Sequence, residues 1–373
     1  MGADVLSRRA LNRATLARQL LLERSPMEPV DAVAHLVGLQ AQVPLNPYTA
    51  LWSRLQAFAP TELGQALVDR RIVRTVVMRA TIHLVTAEDC LVLRPLVQPV
   101  LDAELRRHRD FAPALEGVDI GPVLHHGRTV MAERPCSGKE LRAAFAARFP
   151  ELDPAALAYA CRCLLPLIQV PPRGVWGAAA GIKLTTADAW LGRSLEPAPS
   201  LEEVVLRYFA AFGPATPADV ATWSRLTGIG AVVDRLRPRL EAFRDDRGRE
   251  LFDLPDAPRP DPDTPAPPRF LPEYDNVLLS HADRSRFITD ERRSRNWQAS
   301  GPVRGSVLHD GVWVATWRTE EDRDTGTTTL VIDHPDQMPR DARAAIAEES
   351  TSLLGLLATD ATTHRVRFVR ATA

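Results

Sequence analysis

The sequence contains almost no lysine and few aromatic residues, and its opposite charges nearly cancel. Of 46 basic residues only Lys139 and Lys183 are lysine, aromatic residues make up 6% of the chain, and the formal net charge is −1. This balance argues against a uniformly basic nucleic-acid-binding protein, although it says nothing about local patches. The arginines suit bidentate phosphate binding wherever one of them faces a nucleic acid.

Long apolar runs, closely spaced cysteines and common cofactor motifs are also missing. No segment approaches the roughly 18 apolar residues of a membrane span, and the N-terminus lacks the apolar stretch of a signal peptide. We therefore expect a soluble, cytoplasmic protein without membrane contact. The four cysteines are expected to be reduced core residues. Because no P-loop, dinucleotide-binding fingerprint, zinc-ligand set or serine–histidine–aspartate signature is found, we expect no cofactor and no metal.

An arrangement of two or three amphipathic helices followed by two short strands recurs three times in the first 254 residues, which is the outline of a winged helix. The fold class predicted from this pattern is α+β, with three tandem winged-helix motifs and a C-terminal β-rich domain. The repeat is structural, because the copies share no residue-level similarity. The predicted boundaries place the three motifs at residues 1–115, 116–197 and 198–254.

A proline-rich segment separates these motifs from the C-terminal part. Residues 255–268 contain seven prolines and three aspartates, a composition that neither a helix nor a central strand tolerates, so we predict a surface linker. Residues 269–373 carry β-rich segments, a helix near Arg340–Leu357 and a last strand at His364–Val369. This pattern predicts a small antiparallel sheet or barrel.

The third helix of a winged helix usually enters the major groove, and the alternative is a scaffold or protein-interaction role. Helix Pro154–Leu165 of the second copy carries one charged residue, Arg162, so we expect a core helix that cannot read base edges. The third copy offers Arg235, Arg237 and Arg239, which suit phosphates better than bases. These features disfavour a sequence-specific transcription factor and favour a protein that binds DNA backbone and shape.

The most informative stretch is His35–Tyr48, which reads HLVGLQAQVPLNPY. Its two prolines disfavour helical geometry in the residues before them, so the preceding helix is expected to end near Leu39. In an extended chain Gln40 and Gln42 point the same way and can hold one water between two amides, although neither can remove a proton at neutral pH. On these residues alone, two ordinary solvated glutamines after a helix are the favoured interpretation.

The sequence resembles the winged-helix DNA glycosylases typified by AlkZ and YcaQ over nearly its whole length. The triplet Gln40-Ala41-Gln42 matches the Gln-hydrophobic-Gln motif of the AlkZ branch, whereas the YcaQ branch has aspartate at the third position. The family's two motif side chains are catalytic, so the resemblance assigns that role to Gln40 and Gln42. The segments that carry the resemblance are LSRRALNRATLARQLLL (Leu6–Leu22), VGLQAQ (Val37–Gln42), VMRATIHLVTAEDC (Val77–Cys90) and RFLPEYDNVLLSHADRSRFI (Arg269–Ile288).

The resemblance implies a C-shaped, basic concave surface and a DNA repair enzyme, and the lack of coiled-coil heptads predicts a monomer. Its substrate would be double-stranded DNA containing N7-alkylated purines, and its reaction hydrolysis of the N-glycosidic bond, including the unhooking of interstrand cross-links. The scarcity of lysine predicts a monofunctional glycosylase without lyase activity. A non-catalytic winged-helix DNA-binding or regulatory protein is the alternative. Antibiotic self-resistance and housekeeping repair would share all of these features.

Several residues beyond the glutamines are candidates for supporting roles. The resemblance places Arg79 and His83 near the motif, with a surface salt bridge and a core histidine as their structural alternatives. Residues 284–295 contain five arginines and two acidic residues, a local charge of +3 that suggests phosphate contacts, with a solvated turn as an equal alternative. These predicted DNA-binding residues are Arg284, Arg286, Arg292, Arg293 and Arg295. For His281, Asp283 and Arg284, DNA contact and a structural hydrogen-bond network remain alternatives.

Overall fold

Helices and short strands alternate along the chain in the computed structural model, which describes residues 4–292, 304–335 and 337–370. The helices are α1 (Arg8–Arg18), α2 (Pro29–His35), α3 (Asn46–Trp52), α4 (Pro60–Val68), α5 (Ala87–Leu96), α6 (Gln98–Arg107), α7 (Phe111–Ala114), α8 (Ile120–Glu133), α9 (Gly138–Arg148), α10 (Pro154–Leu164), α11 (Ala187–Leu191), α12 (Leu201–Phe212), α13 (Pro217–Ser224), α14 (Ile229–Leu236) and α15 (Arg340–Leu357). Short 3₁₀ helices lie at Met78–Ala80, Arg237–Arg239 and Asn276–Leu278. Among these helices none is long and apolar enough to span a membrane.

The strands of the described chain form three sheets. They are β1 (Val5–Leu6), β2 (Leu39–Gln40), β3 (Ile72–Val76), β4 (Ile82–Thr86), β5 (Leu167–Gln169), β6 (Leu184–Thr186), β7 (Glu241–Asp245), β8 (Glu250–Asp253), β9 (Arg269–Leu271), β10 (Gly305–His309), β11 (Val312–Asp322), β12 (Thr327–His334) and β13 (Thr363–Arg370). The strand orders are β1-β7-β8, β2-β4-β3-β5-β6 and β13-β12-β11-β10-β9. The predicted α+β class is therefore confirmed.

Each of the three predicted copies contains helices followed by paired strands, but the copies share sheets. In the first two copies, β3 pairs with β5 through Arg74 opposite Gln169, so one five-stranded sheet contains strands from both. At the N-terminus β1 runs parallel to β7, with Val5 opposite Arg244, and so joins the sheet of the third copy. Backbone hydrogen bonds thus cross the predicted boundaries at residues 115 and 197. The winged-helix arrangement and the domain limits stay predictions.

The proline-rich segment 255–268 contains no helix or strand, as its composition predicts. It is nevertheless attached along α1, because three arginines of that helix donate to its carbonyl oxygens. Arg9 Nε donates to Pro262 O at 2.7 Å and Arg13 Nε to Thr264 O at 2.7 Å. A third contact, from Arg18 Nε to Pro258 O, measures 3.3 Å. The segment is therefore a strap over the N-terminal helix rather than a detached linker.

The C-terminal sheet is antiparallel except at its edge, where β13 runs parallel to β12. Helix α15 covers it and buries Ile346, Leu353 and Leu354 against apolar strand residues. Helix α10, predicted to be a core helix, buries five small and apolar residues and so belongs to the interior. The four cysteines are also buried and unpaired, as expected for core residues.

Candidate active site

The Gln-Ala-Gln motif begins as the edge strand of the central sheet. Helix α2 ends at His35, four residues before the predicted end at Leu39, because Val37 and Gly38 adopt φ values of 54° and 90°. A Cβ on Gly38 would lie 2.7 Å from Val85 Cγ1, so only glycine permits this close approach to β4. Leu39 and Gln40 then form β2, antiparallel to β4. The tight turn thus brings the motif onto the sheet.

Arg79 lies in the turn between β3 and β4 and holds the first motif glutamine. Its φ of 59° is left-handed, a conformation that costs energy for a residue with a Cβ and often marks a functional turn. Its Nη2 donates to Gln40 Oε1 at 2.8 Å and to Asn276 Oδ1 at 3.3 Å, and its Nη1 donates to Trp223 O at 2.9 Å. These acceptors are all uncharged.

Burial, and then the nearby charges of Arg284 and Arg225, lower the pKa of Arg79 to about 10. The guanidinium therefore stays protonated at neutral pH. A half-buried cation among uncharged acceptors retains most of its field, and that field favours an anionic ligand nearby. The site thus combines a permanent positive charge with an uncharged amide.

The two motif glutamines differ in exposure: Gln40 contacts the β3–β4 turn, and Gln42 contacts the first residue of β4. Gln40 is 8% exposed, and within the described chain its amide nitrogen has no protein acceptor. Gln42 is exposed, and its Oε1 accepts from the backbone N–H of Ile82 at 3.1 Å. Each carbonyl oxygen is therefore held by a protein donor, and the amide nitrogens are left for other ligands.

His83 is buried beneath this pair and is neutral. Its Nε2 lies 3.2 Å from Arg79 Nη2 and its Nδ1 lies 3.0 Å from Thr81 O. Because a carbonyl oxygen only accepts and a guanidinium only donates, these partners fix the proton on Nδ1. Burial, assisted by the charge of Arg79, lowers the pKa of His83 to about 3. His83 therefore orients Arg79 and does not serve as an acid near neutral pH.

Two further residues hold the motif and were missed in the sequence. Asn276 donates to Gly38 O at 2.8 Å and accepts from Arg79, so it connects the C-terminal part to both sides of the site. Buried Arg74 donates to Ala41 O at 2.8 Å and is itself held by Gln169. A charged residue within the apolar strand β3 was the available signal for Arg74. Asn276 had no such signal.

The sequence and the fold both resemble those of known proteins. Residues 33–356 match the AlkZ-like DNA glycosylase profile. The chain belongs to the AlkZ-like DNA glycosylase family. The fold is similar to that of the Streptomyces sahachiroi DNA glycosylase AlkZ, with a TM-score of 0.77, 98% of this chain and 100% of that chain covered, and 20% sequence identity. No curated protein matches the sequence significantly. The predicted family is thus confirmed, and the protein is a DNA glycosylase.

In this AlkZ-like glycosylase, the predicted DNA-binding arginines fall into different environments. Arg286 is 6% exposed and donates to Thr15 Oγ1 and Pro214 O, both at 3.0 Å, so it is a structural residue and the prediction of a phosphate contact there is wrong. Arg284 and Arg292 are half-buried, and each donates to a backbone carbonyl oxygen. Their contacts with DNA stay predictions. Arg293 and Arg295 lie outside the described residues.

The family signature residues His281 and Asp283 form structural contacts. His281 is fully buried, and its Nε2 donates to Phe212 O at 3.0 Å. The Asp283 carboxylate accepts from Arg249 at 2.6 Å and from the backbone N–H of Ser285 at 2.9 Å. Of the two alternatives from the sequence, the structural network describes these two residues.

The buried histidines predict how stability depends on pH. Burial lowers the pKa of His83 and of His281 from 6.5 to about 3, so below pH 6.5 the unfolded chain binds protons that the folded chain does not. The free energy of unfolding should therefore decrease as the pH falls from 6.5, by up to about 1.4 kcal/mol per pH unit for each histidine. Urea denaturation at pH values between about 7.5 and 5.5 measures the free energy of unfolding. Most carboxylates titrate below this range and therefore contribute little to the slope. The exposed His125 provides the control, since His125→Gln should keep the same slope. A flat profile would contradict the prediction.

Proposed function

We propose that the protein hydrolyses the N-glycosidic bond of N7-alkylated purines in double-stranded DNA, with a water positioned by Gln40 and Gln42. The observation that carries this proposal is the placement of the Gln40 amide against Arg79 of the β3–β4 turn and of the Gln42 amide against the first residue of β4, with both oxygens held and both nitrogens available. Within the described residues no carboxylate hydrogen-bonds to either amide, and His83 is neutral. The site is therefore equipped for positioning rather than for acid–base chemistry.

The chemistry of N7-alkylated purines fits such a site. The alkylated base carries a positive charge, so when the C1′–N9 bond breaks, its electron pair neutralises the base and no general acid is needed. The sugar becomes an oxocarbenium ion, to which a water oxygen adds at C1′, and the surplus proton passes to solvent. Holding that water in place supplies much of the barrier reduction when the leaving group is already good.

Arg79 and His83 have supporting roles in this proposal. Arg79 fixes the Gln40 carbonyl oxygen and thereby leaves the amide nitrogen for another ligand, and neutral His83 accepts from Arg79. The cationic Arg79 opposes charge on the sugar, so a phosphate next to the lesion is needed to offset it. Arg79 and His83 are thus positioning residues, and the reacting atoms contact the two glutamines.

The surface beside the motif favours bulky adducts, including cross-links. Val43 and Leu45, which follow Gln42, are 39% and 44% exposed. Tyr48, an aromatic residue close to the motif in sequence, is buried and donates through its hydroxyl to Gly174 O at 2.8 Å, so it cannot stack on a flipped base. An open surface admits a cross-linked adduct that a closed aromatic pocket would exclude.

Base release from defined duplexes tests the proposal. We expect release from DNA containing N7-methylguanine, and release at least about 100-fold slower from an otherwise identical duplex with the uncharged base hypoxanthine, because a general acid typically supplies 10²–10⁴-fold and this site has none. Single-turnover rates of base release measure both. Equal rates on the two lesions would contradict the proposed preference for cationic bases.

Base release and borohydride trapping together distinguish the proposed enzyme from a non-catalytic DNA-binding module and from a glycosylase with lyase activity. A non-catalytic module would bind the alkylated duplex and release no base. A glycosylase with lyase activity would form an imine with the sugar, which borohydride reduces to a covalent protein–DNA adduct. Lys139 and Lys183 are exposed, and neither hydrogen-bonds to the motif residues within the described chain. We therefore expect no trapped adduct, as in a monofunctional enzyme.

A further inference from the structure

Exposed arginines in the third helical copy are largely neutralised by carboxylates. Arg235 pairs with Glu202 at 2.7 Å, Arg239 with Glu203 at 2.9 Å, and Arg237 with Glu250 at 3.0 Å. These are the three arginines for which the sequence suggests phosphate contacts. Because each lies beside an opposite charge, their net field at a distance is small. A strong attraction for DNA has to come from other residues.

Arg225 differs from these residues in its surroundings and its backbone. It is exposed, and within the described parts of the chain its side chain makes no hydrogen bond or ion pair. It ends helix α13 with a left-handed φ of 62°. Glycine is the residue usually found at this position, and an arginine there is strained. Local backbone strain is commonly retained where the side chain has a function.

The position of Arg225 relates it to the candidate active site. Two residues earlier, Trp223 O accepts from Arg79 Nη1 at 2.9 Å, so the end of α13 contacts the residue that holds Gln40. The charges of Arg225 and Arg284 both reach Arg79 and lower its pKa. Arg225 and Arg284 thus add positive charge around Arg79, whose hydrogen-bond acceptors are uncharged.

We propose that Arg225 binds a phosphate of the DNA strand next to the damaged nucleotide. The inference rests on the proposed function, because it takes Gln40 and Gln42 as the place where the damaged nucleotide is held. A phosphate is the anion that every nucleotide brings to this position, and a guanidinium binds it through two parallel hydrogen bonds. A bound phosphate would also reduce the repulsion among Arg225, Arg284 and Arg79.

The salt dependence of binding tests this residue against a matched control. Arg225→Gln should lower the affinity for a fluorescent duplex about tenfold at low salt, since hydrogen bonds to charged groups are strong, and should reduce the slope of log K against log salt by about 0.9, the value for one phosphate. Arg235→Gln removes another exposed arginine, one that is paired with Glu202, and should change neither quantity. Equal effects of the two substitutions, or no effect of Arg225→Gln, would overturn the proposal.

A second variant separates phosphate binding from helix capping. Arg225→Gly relieves the left-handed strain, so the melting temperature should stay the same or rise while DNA affinity falls as in Arg225→Gln. A lower melting temperature with unchanged affinity would make Arg225 a capping residue and overturn the inference.

A methylphosphonate scan of the damaged strand locates the contact. Neutralising the phosphate that Arg225 binds should weaken DNA binding by the wild-type protein and leave binding by Arg225→Gln unaffected. We expect this phosphate to lie adjacent to the lesion. A position far from the lesion would overturn the placement. Base release by the wild type is measured separately, so a failure of the proposed function is distinguished from a failure of this inference.

Discussion

Gln40→Ala and Gln42→Ala should each lower the single-turnover rate of base release from N7-methylguanine DNA by about 100-fold, the typical cost of misplacing a reacting group by about 1 Å. Gln42 is exposed, so its truncation leaves the fold intact. Truncation of Gln40 removes one acceptor from Arg79, which keeps Trp223 O, Asn276 and His83 as partners. Loss of activity in either variant should therefore occur without unfolding.

The double variant tests whether the two amides hold the same water. If they do, Gln40→Ala combined with Gln42→Ala should be about as slow as either single variant, because residues that act as a unit have non-additive effects. Multiplied effects, near 10⁴-fold, would mean that the amides act independently. The control is Gln65→Ala, an exposed glutamine of α4 whose amide donates to Asp69, and it should release base at the wild-type rate. Unchanged rates in all variants would place the chemistry elsewhere.

The helices that were predictable from the sequence have strong local signals. Among them are Leu201–Phe212, in the third copy of the repeat, and Arg340–Leu357, which is found with the predicted limits. In the first of these, the Ser200 side chain accepts from Glu203 N, which is a capping contact between near neighbours in sequence. Helix α3 was not recognised because two prolines bracket its start. Pro47 in fact lies in its first turn, where proline is tolerated.

The arrangement of the sheets was less accessible, because it depends on residues far apart in the chain. The pairing of β3 with β5 joins residues 74 and 169, and no local pattern specifies such a partner. The burial of Arg286 was not predictable for the same reason. A cluster of basic residues predicts a positive surface, yet sequence cannot distinguish an arginine facing solvent from one that donates to buried carbonyl oxygens.

For the candidate site, family resemblance pointed to Gln40 and Gln42, whereas the residues that hold them emerged only from the structure. Asn276 is 238 residues from Gly38 and 197 from Arg79, the two residues it contacts. A polar side chain in a loop gives no sign of such distant partners. The chemistry of the motif was therefore open to interpretation from sequence, but its positioning was not.

Asp275→Ala should destabilise the protein by about 3–5 kcal/mol, because it leaves a buried guanidinium without its counterion. Asp275 and Arg54 have side chains that are 1% and 0% exposed, and they form two hydrogen bonds of 2.8 and 2.9 Å. Urea denaturation measures the change. Glu88→Ala, which breaks the exposed pair with Arg193, provides the control and should cost about 0–1 kcal/mol. Similar costs for the two variants would contradict the prediction.

The pair also holds the segment that carries Asn276, so its effect on stability can be separated from its effect on the site. Asp275 Oδ1 accepts from Val277 N at 3.0 Å and thereby begins the 3₁₀ helix that contains Asn276. Arg54→Met combined with Asp275→Leu removes both charges and should be more stable than Asp275→Ala alone. If the carboxylate is needed only for stability, this double variant should release base at the wild-type rate. We expect slower release from the folded double variant, because without that cap Asn276 loses its fixed position against Gly38 and Arg79.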